Sequence, residues 1–261
     1  MADESAYLVT YTAYSAGEGH SRSGMVPVEG MVTFYLNGQP FVSVMCTPTH
    51  LKELALGFLF NEGLIRSPRD VTVMELCGGG RCVDIWLGFD VEIPNLRVIT
   101  SGCSGGTTFE EIVSARHRVE ADLSINADQI AQLMDELSRQ ASLYHRSGGV
   151  HAAGLAHAGQ FVCVAEDVGR HNALDKIAGT CLQMGHITLG GVLLTSGRIS
   201  SEMVQKAARM EVPVVISRTS PTSLAVQLAQ AWSITLIGYA RRGTFHVYTH
   251  ERRVVTSGAG G

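Results

Sequence analysis

The chain has 261 residues, enough to bury a sizeable core as one large domain or as a domain with a smaller companion. An apolar fraction of 45% against 17% charged residues excludes a disordered protein, and 29 glycines without a Gly-X-Y period point to turns rather than to collagen. A formal net charge of −4 gives no global basic field for non-specific nucleic-acid binding, no apolar run reaches the roughly 18 to 20 residues of a membrane span, and the N-terminus MADESAYLVTYTAYSAGEGH lacks a basic segment followed by an apolar one, so the expectation is a cytoplasmic protein with no nucleic-acid or membrane partner.

Residues 1–24 are rich in Ser, Gly and Ala without a sustained period and read as a loose extension with one short strand over 7–11. Strands over 31–36 and 41–45 flank Asn37-Gly38, the pair that most readily takes the positive φ angles of a two-residue hairpin turn. A helix over 48–62 follows, with Thr47 as N-cap, Pro48 in the first helical position and Gly63 as the stop. Its stripe Leu51, Leu54, Ala55, Phe58, Leu59 has helical spacing and is expected to pack on the hairpin. Strands over 71–76 and 83–87 complete a small α+β domain spanning 25–100.

Residues 101–120 read as a mobile cysteine loop and linker, because SGCSGGTT (101–108) has three glycines and no large apolar side chain. A helix begins at Asn126, whose side chain can cap while Gln129 reaches back; its core face is Ile130, Leu133, Met134 and Leu137. From residue 150 strands alternate with helices: strand 161–165, helix 172–184, strand 192–195, helix 200–210, strand 214–217, helix 221–231, strand 234–239. Such alternation predicts an α/β domain over 121–261 with a mainly parallel sheet covered on both faces. A last hairpin through Arg241-Arg242-Gly243 into 245–249 adds an edge strand of opposite direction.

Ligands of open α/β sheets gather at the carboxyl ends of strands, where helix amides are unpaired. Three successive strand ends here carry Ser196-Gly197-Arg198-Ile199-Ser200, then Ser217-Arg218-Thr219-Ser220-Pro221-Thr222, then Tyr239-Ala240-Arg241-Arg242-Gly243. Hydroxyls and guanidinium groups together suit phosphate oxygens, although Ser200 and Ser220 also read as plain helix caps. Neither a P-loop nor a spaced G-x-G-x-x-G is present. The run Glu166-Asp167-Val168-Gly169-Arg170-His171-Asn172 offers an acceptor in Asp167, a phosphate donor in Arg170 and a proton carrier in His171, or else a polar network that only fixes the loop.

The six cysteines are read singly, because a reducing compartment disfavours a disulfide framework. Cys163 and Cys181 lie in apolar patterns and read as core; Cys77 and Cys82, with four residues between them in a glycine-rich turn, read as incidental rather than as metal ligands completed by Cys103 and a histidine. A zinc deaminase would place Glu two residues after His151 and supply a Pro-Cys-x-x-Cys, but Ala153 stands there and no Cys-x-x-Cys exists, so no metal site is expected. Cys103 differs from the rest: its neighbours Ser101, Gly102, Ser104, Gly105 and Gly106 offer no burial, which suits a nucleophile that meets large partners.

Over residues 26–253 the chain resembles the FdhD family of formate dehydrogenase accessory sulfurtransferases. The matching pieces are Ala55-Leu56-Gly57-Phe58 with Glu62-Gly63, Gly102-Cys103, His151-Ala152-Ala153, Glu166 through His171, Ala173-Leu174-Asp175-Lys176, Ser196 and Arg198 with Met203-Val204-Gln205-Lys206, Thr222 with Leu224-Ala225-Val226, and Leu236 with Gly238 ahead of Tyr248-Thr249-His250. The resemblance implies a cytidine-deaminase-like three-layer domain without its zinc, behind a small α+β domain. It implies that a cysteine desulfurase loads sulfur on Cys103 as a persulfide, and that the sulfur passes to molybdenum bis-molybdopterin guanine dinucleotide for formate dehydrogenase. The expected cofactor-binding residues are Tyr239, Ala240, Arg241, Arg242, Gly243 and Thr244, with Ser196, Arg198, Asp167, Arg170, His171, Ser217 and Thr222 from the strand-end reading. Two guanylate moieties per cofactor suit a homodimer. Gly106 stands where the family's loop commonly has a second cysteine; relay needs one thiolate, whereas a dithiol cycle needs two. The rival readings are a molybdenum-cofactor chaperone that moves no sulfur and a zinc hydrolase.

Overall fold

A computed structural model describes residues 5–91, 97–99, 118–186 and 188–255. The chain opens with β1 (Ala6–Ser15) and β2 (Glu18–Pro27), paired antiparallel along their full lengths around Ala16-Gly17, both at positive φ. This replaces the loose extension expected over 1–24. Both strands are largely exposed, so no alternating apolar face is written into their sequence. Tyr11 lies over Gly24 and Tyr14 over Gly19, and these rings supply the cross-strand contacts that the glycines lack.

The first large sheet has the order β5-β6-β3-β4-β7, from β3 (Gly30–Leu36), β4 (Gln39–Cys46), β5 (Val71–Cys77), β6 (Cys82–Leu87) and β7 (Arg97–Ile99). Asn37 and Gly38 take φ of 49° and 79°, as their hairpin role requires. One face is covered by α1 (Leu51–Asn61), whose Leu51, Leu54, Ala55, Phe58 and Leu59 pack with Val32, Phe34, Leu36, Val83 and Ile85. The helix starts later than the sequence suggests: His50, in a left-handed conformation, is its N-cap, and Thr47 is engaged elsewhere. Cys77 and Cys82, expected as separate thiols, are opposed residues of the β5–β6 hairpin with Cα atoms 5.0 Å apart, and their sulfurs are joined in a disulfide. Direct opposition brings the two side chains together, which spacing along the chain does not reveal.

β8 (Ile125–Asn126) leads into α2 (Ala127–Gln140), and α3 (Ser142–Ser147) follows directly. The start of α2 is closed reciprocally: Gln129 N donates to Asn126 Oδ1 at 2.7 Å and Asn126 N donates to Gln129 Oε1 at 3.0 Å. The second large sheet has the order β10-β9-β11-β12-β13-β14, from β9 (His151–His157), β10 (Gln160–Asp167), β11 (Val192–Thr195), β12 (Val214–Ser217), β13 (Thr235–Arg241) and β14 (Thr244–Val247). Only β11–β12 and β12–β13 run parallel; β9 pairs antiparallel with both β10 and β11, and β13 with β14. The sheet is therefore mixed, not mainly parallel. Ala158-Gly159 and Arg242-Gly243 hold positive φ in tight turns, and a turn that short returns the chain only as an antiparallel neighbour.

Helices α4 (Arg170–Met184), α5 (Ser201–Arg209) and α6 (Ser223–Ala231) cover one face of this sheet, packing on Leu155, Leu193, Val215 and Leu236. Ile130, Leu133, Met134 and Leu137 of α2 cover the other face against Ala152, Leu194, Ile216 and Ile237. The result is three layers. β15 (Val254–Val255) pairs parallel with β8. Among the described residues no helix is long and apolar enough to cross a membrane. Cys163 is half-buried and Cys181 buried, their sulfurs 3.8 Å apart between β10 and α4.

The two large sheets are joined where α1 crosses α4. A methyl on Gly57 would overlap the carbonyl of Asp175, and one on Gly179 would overlap that of Glu53, so the two backbones touch with no side chain between them. Polar groups bracket this crossing. The carboxylate of Asp175 accepts from Lys206 Nζ on α5 at 2.6 and 2.7 Å and from Asn61 Nδ2 of α1 at 2.7 Å. Burial lifts the Asp175 carboxyl even with that ammonium beside it. Gly179→Ala is expected to force the helices apart and lower stability by at least about 2 kcal/mol, read as a fall in the urea midpoint; an unchanged midpoint would show that the crossing yields freely.

Candidate functional site

The strand ends that the sequence singles out meet above the second sheet. Ser196 follows β11, and its place is fixed by the neighbouring strand: Ser196 N donates to Ala152 O at 2.8 Å, and Ala152 N donates to Ser196 Oγ at 3.0 Å. Gly197 lets the turn press against its surroundings, since a Cβ there would lie 3.1 Å from Arg170 Cβ and 3.2 Å from His151 Nδ1. Ser217 at the end of β12 is buried and donates to Gly197 O at 2.6 Å while accepting from Thr219 N at 2.9 Å, which ties the first strand-end loop to the second. Tyr239 N, at φ 53°, donates to Thr219 O at 3.0 Å and so ties the second to the third.

These loops form the floor of a cavity of about 840 Å³. Its lining includes His151, Ser196, Arg218, Thr219, Ala240, Arg241 and Arg242 from the strand ends, facing Met134, Leu137, Ser138, Ala141 and Tyr144 of α2 and α3. No side-chain hydrogen bond or ion pair within the protein engages the guanidinium groups of Arg218, Arg241 and Arg242 among the described residues, and the one acidic liner is Asp135. A concave site with hydroxyls below, several unpaired guanidinium groups and an apolar wall suits a ligand that is anionic at one end and flat and apolar at the other.

Glu166 builds the wall rather than touching a ligand. Its carboxylate accepts from Leu143 N at 2.8 Å and Tyr144 N at 2.7 Å, holding the first turn of α3 in place. Asp167 is fully buried and faces away from the cavity: Oδ2 accepts from Thr47 N at 3.1 Å and pairs with Lys176 Nζ at 2.7 Å, and Oδ1 accepts from Gly169 N and Asn172 Nδ2. The acceptor expected to read a ligand thus has every lone-pair direction committed inside the fold. Lys176 also donates to Thr47 O and Glu166 O.

Arg170, His171, Ser200 and Glu202 form a second polar cluster beside the cavity, with Arg198 exposed next to them. His171 Nε2 lies 3.0 Å from Ser200 Oγ and 3.0 Å from Glu202 Oε2. Burial, with help from the nearby charges of Lys206 and Arg170, pushes the His171 imidazole down to about 3, so the contact with Glu202 joins a neutral ring to a carboxylate and is not an ion pair. Burial and the charges of Arg170 and Arg198 also lower His151, whose Nδ1 is 3.5 Å from Ser196 Oγ. Arg170 keeps Nε buried and without a partner.

Of the residues expected to bind a cofactor, Ser196, Ala240, Arg241 and Arg242 line the cavity. Arg170, His171 and Arg198 flank it; Asp167 and Ser217 are buried in its support; Thr222 caps α6, accepting from Ala225 N at 3.3 Å; Tyr239, Gly243 and Thr244 belong to the β13–β14 hairpin outside the lining. Arg218 and Thr219 sit in a strand-end loop that the sequence reading named but did not select. Of the helical wall, Met134 and Leu137 read from the sequence only as core, because an apolar stripe looks the same whether it packs on a sheet or overhangs a cavity; Ser138, Ala141 and Tyr144 carry no sequence signal for the site. Cys103 lies outside the described residues.

The lowered His171 carries a pH signature. The unfolded imidazole takes a proton near 6.5 and the folded one only near 3, so His171 favours the folded state fully above pH 6.5 and that contribution is lost as pH falls toward 3. His171→Gln is expected to flatten the drop in urea stability between pH 7 and pH 4; a slope equal to the wild type's would contradict the neutral ring.

Comparison with known proteins shows the family of the chain. Residues 27–255 match the FdhD/NarQ family model. The sulfur carrier protein FdhD of Bacillus pumilus is 37% identical over 249 residues, covering 92% of this chain and 94% of the relative, and that of Bacillus subtilis is 36% identical over 255 residues with the same coverage. The crystal structure of a protein from Desulfotalea psychrophila, described as a formate dehydrogenase accessory protein, superposes with a TM-score of 0.83 at 27% identity, covering 96% of this chain and all of the other. The chain belongs to the FdhD/NarQ family.

Proposed function

We propose that this chain is a sulfur carrier for formate dehydrogenase, a sulfurtransferase that takes sulfur from a cysteine desulfurase on Cys103 and delivers it to molybdenum bis-molybdopterin guanine dinucleotide held as substrate above the second sheet. The observation that carries the reading is the cavity with Arg218, Arg241 and Arg242 unpaired over Ser196 and Thr219, in a chain whose family relatives are named sulfur carriers. A guanine nucleotide diphosphate offers the matching chemistry: phosphate oxygens for the guanidinium groups, a flat base for the wall of α2 and α3. The three-layer order of helices and sheet supports a cytidine-deaminase-like framework, and a homodimer would present two such cavities to the two nucleotide ends of one cofactor.

In the loading step the Cys103 thiolate attacks the outer sulfur of the desulfurase persulfide. A new sulfur–sulfur bond forms on Cys103, the donor's sulfur–sulfur bond breaks, and the donor cysteine leaves as thiolate, with no net change of redox state. One thiol suffices, so Gly106 in place of a second cysteine is compatible with relay. Burial lowers both His151 and His171, so the arginines supply the positive charge that meets the ligand.

Incubation with a desulfurase and cysteine should add about 32 Da, one sulfur atom, to the peptide containing Cys103. Cys103→Ala should abolish activation of formate dehydrogenase; full activation by that variant would favour the chaperone reading. Arg218→Ala and Arg241→Ala should each weaken guanosine diphosphate binding about tenfold or more, as loss of a charge-assisted hydrogen bond does, and the affinity should fall with added salt. Salt-independent binding that survives both changes would place the nucleotide elsewhere.

A further inference from the structure

At the far end of β9, about 20 Å along the strand from His151 at roughly 3.3 Å per residue, two histidines stand together. His157 is the last residue of β9, and His186 follows Gly185, the left-handed residue that closes α4. Their ring centroids are 5.5 Å apart and their planes stand at 89°. Nδ1 of His157 and Nε2 of His186 are both buried, and neither has a hydrogen-bond partner. A ring nitrogen shut away from water with nothing to bond is costly, and two on adjacent rings are not what packing alone would select.

We propose that His157 and His186 together hold a transition-metal cation of the zinc, cobalt or nickel class. With metal–nitrogen bonds of roughly 2.0–2.1 Å and about 1.1 Å more to the ring centre, each centroid would lie about 3.2 Å from the ion. Centroids 5.5 Å apart then subtend about 120° at the ion, an angle that tetrahedral and trigonal coordination both accept. Two imidazoles select this class of cation, because magnesium and calcium demand oxygen ligands. Among the described residues no third His, Cys, Asp or Glu completes the set, so two protein ligands hold the ion and it exchanges more readily than in a closed structural zinc site.

Such an ion would clip the C-terminal end of α4 to the β9–β10 hairpin. His186 N already donates to Cys181 O at 2.9 Å, so the backbone presents that ring in a defined place. The same helix begins at Arg170 and His171, which links the clip mechanically to the polar cluster beside the cavity. The site draws on none of the residues assigned to sulfur transfer, and its failure would leave that assignment untouched.

Titration of the metal-free full-length protein with Co²⁺ tests the proposal. The expected result is one ion per chain, ligand-field absorption without a thiolate charge-transfer band, and paramagnetic broadening of the His157 and His186 ring signals. His157→Gln and His186→Gln should each weaken binding by at least roughly tenfold, with metal-free melting temperatures near the wild type's, and Cys103→Ser should bind as the wild type does. Co²⁺ should raise the melting temperature of the wild type but of neither histidine variant. Binding that survives both histidine changes, a thiolate band, the absence of saturable binding, or broadening that spares these two rings would each overturn the assignment and leave an edge-to-face imidazole pair.

Discussion

The contact on which the rest of this structure depends is the crossing of α1 and α4. Gly57 and Gly179 let two helix backbones meet, and around them lie two buried cations, Lys176 and Lys206, each matched to a buried carboxylate. Pairs of this kind add little net stability over an apolar core, but losing one partner strands the other without solvent. Their effect is to specify one register of α1 on α4. Lys176 bonds Thr47 O, Glu166 O and Asp167 at once, so the segment leaving the first sheet and the loop leaving β10 are held by a single ammonium group. The start of α4, with Arg170 and His171, takes its position from that lock.

A division of labour among charges follows. Two carboxylates behind the cavity are engaged by the fold, which leaves Asp135 as its acidic liner: Glu166 holds the first amides of α3, and Asp167 holds Thr47, Gly169, Asn172 and Lys176. The guanidinium groups of Arg218, Arg241 and Arg242 line the cavity without a side-chain partner among the described residues. A chain with a net charge of −4 thus presents a locally cationic pocket, made by where its anions are withdrawn rather than by an excess of cations. Burial, helped by Arg170 and Arg198 at His151 and by Lys206 and Arg170 at His171, keeps both imidazoles lowered, which leaves the positive charge of the cavity to the arginines.

Both aspects make the cavity a rigid platform. The floor of the cavity is three strand-end loops hydrogen-bonded to one another through Ser217, Thr219 and Tyr239, and its wall is hung from Glu166. Each loop is short, and each is anchored by a strand buried on both faces, so the pocket is preorganised and ordering it on binding costs little.

What was legible in the sequence is what neighbours along the chain decide. Asn37-Gly38 made its turn, Asn126 and Gln129 made their reciprocal cap, the stripe of α1 found the first sheet, and Arg241-Arg242 arrived at a strand end, because each signal lies within a few residues of backbone. Tertiary structure alone decided the partners that lie far apart. Thr47, a plausible helix cap by local rules, instead meets Asp167 across 120 residues, and that pairing removes Asp167 from the cavity. The β9–β10 hairpin made the sheet mixed, and the exposed arm of β1 and β2 formed without an apolar face to announce it. Local preference is set by sterics and hydrogen bonds inside one or two turns, whereas the role of a buried charge depends on which distant group arrives opposite it, and that is known only once the chain has folded.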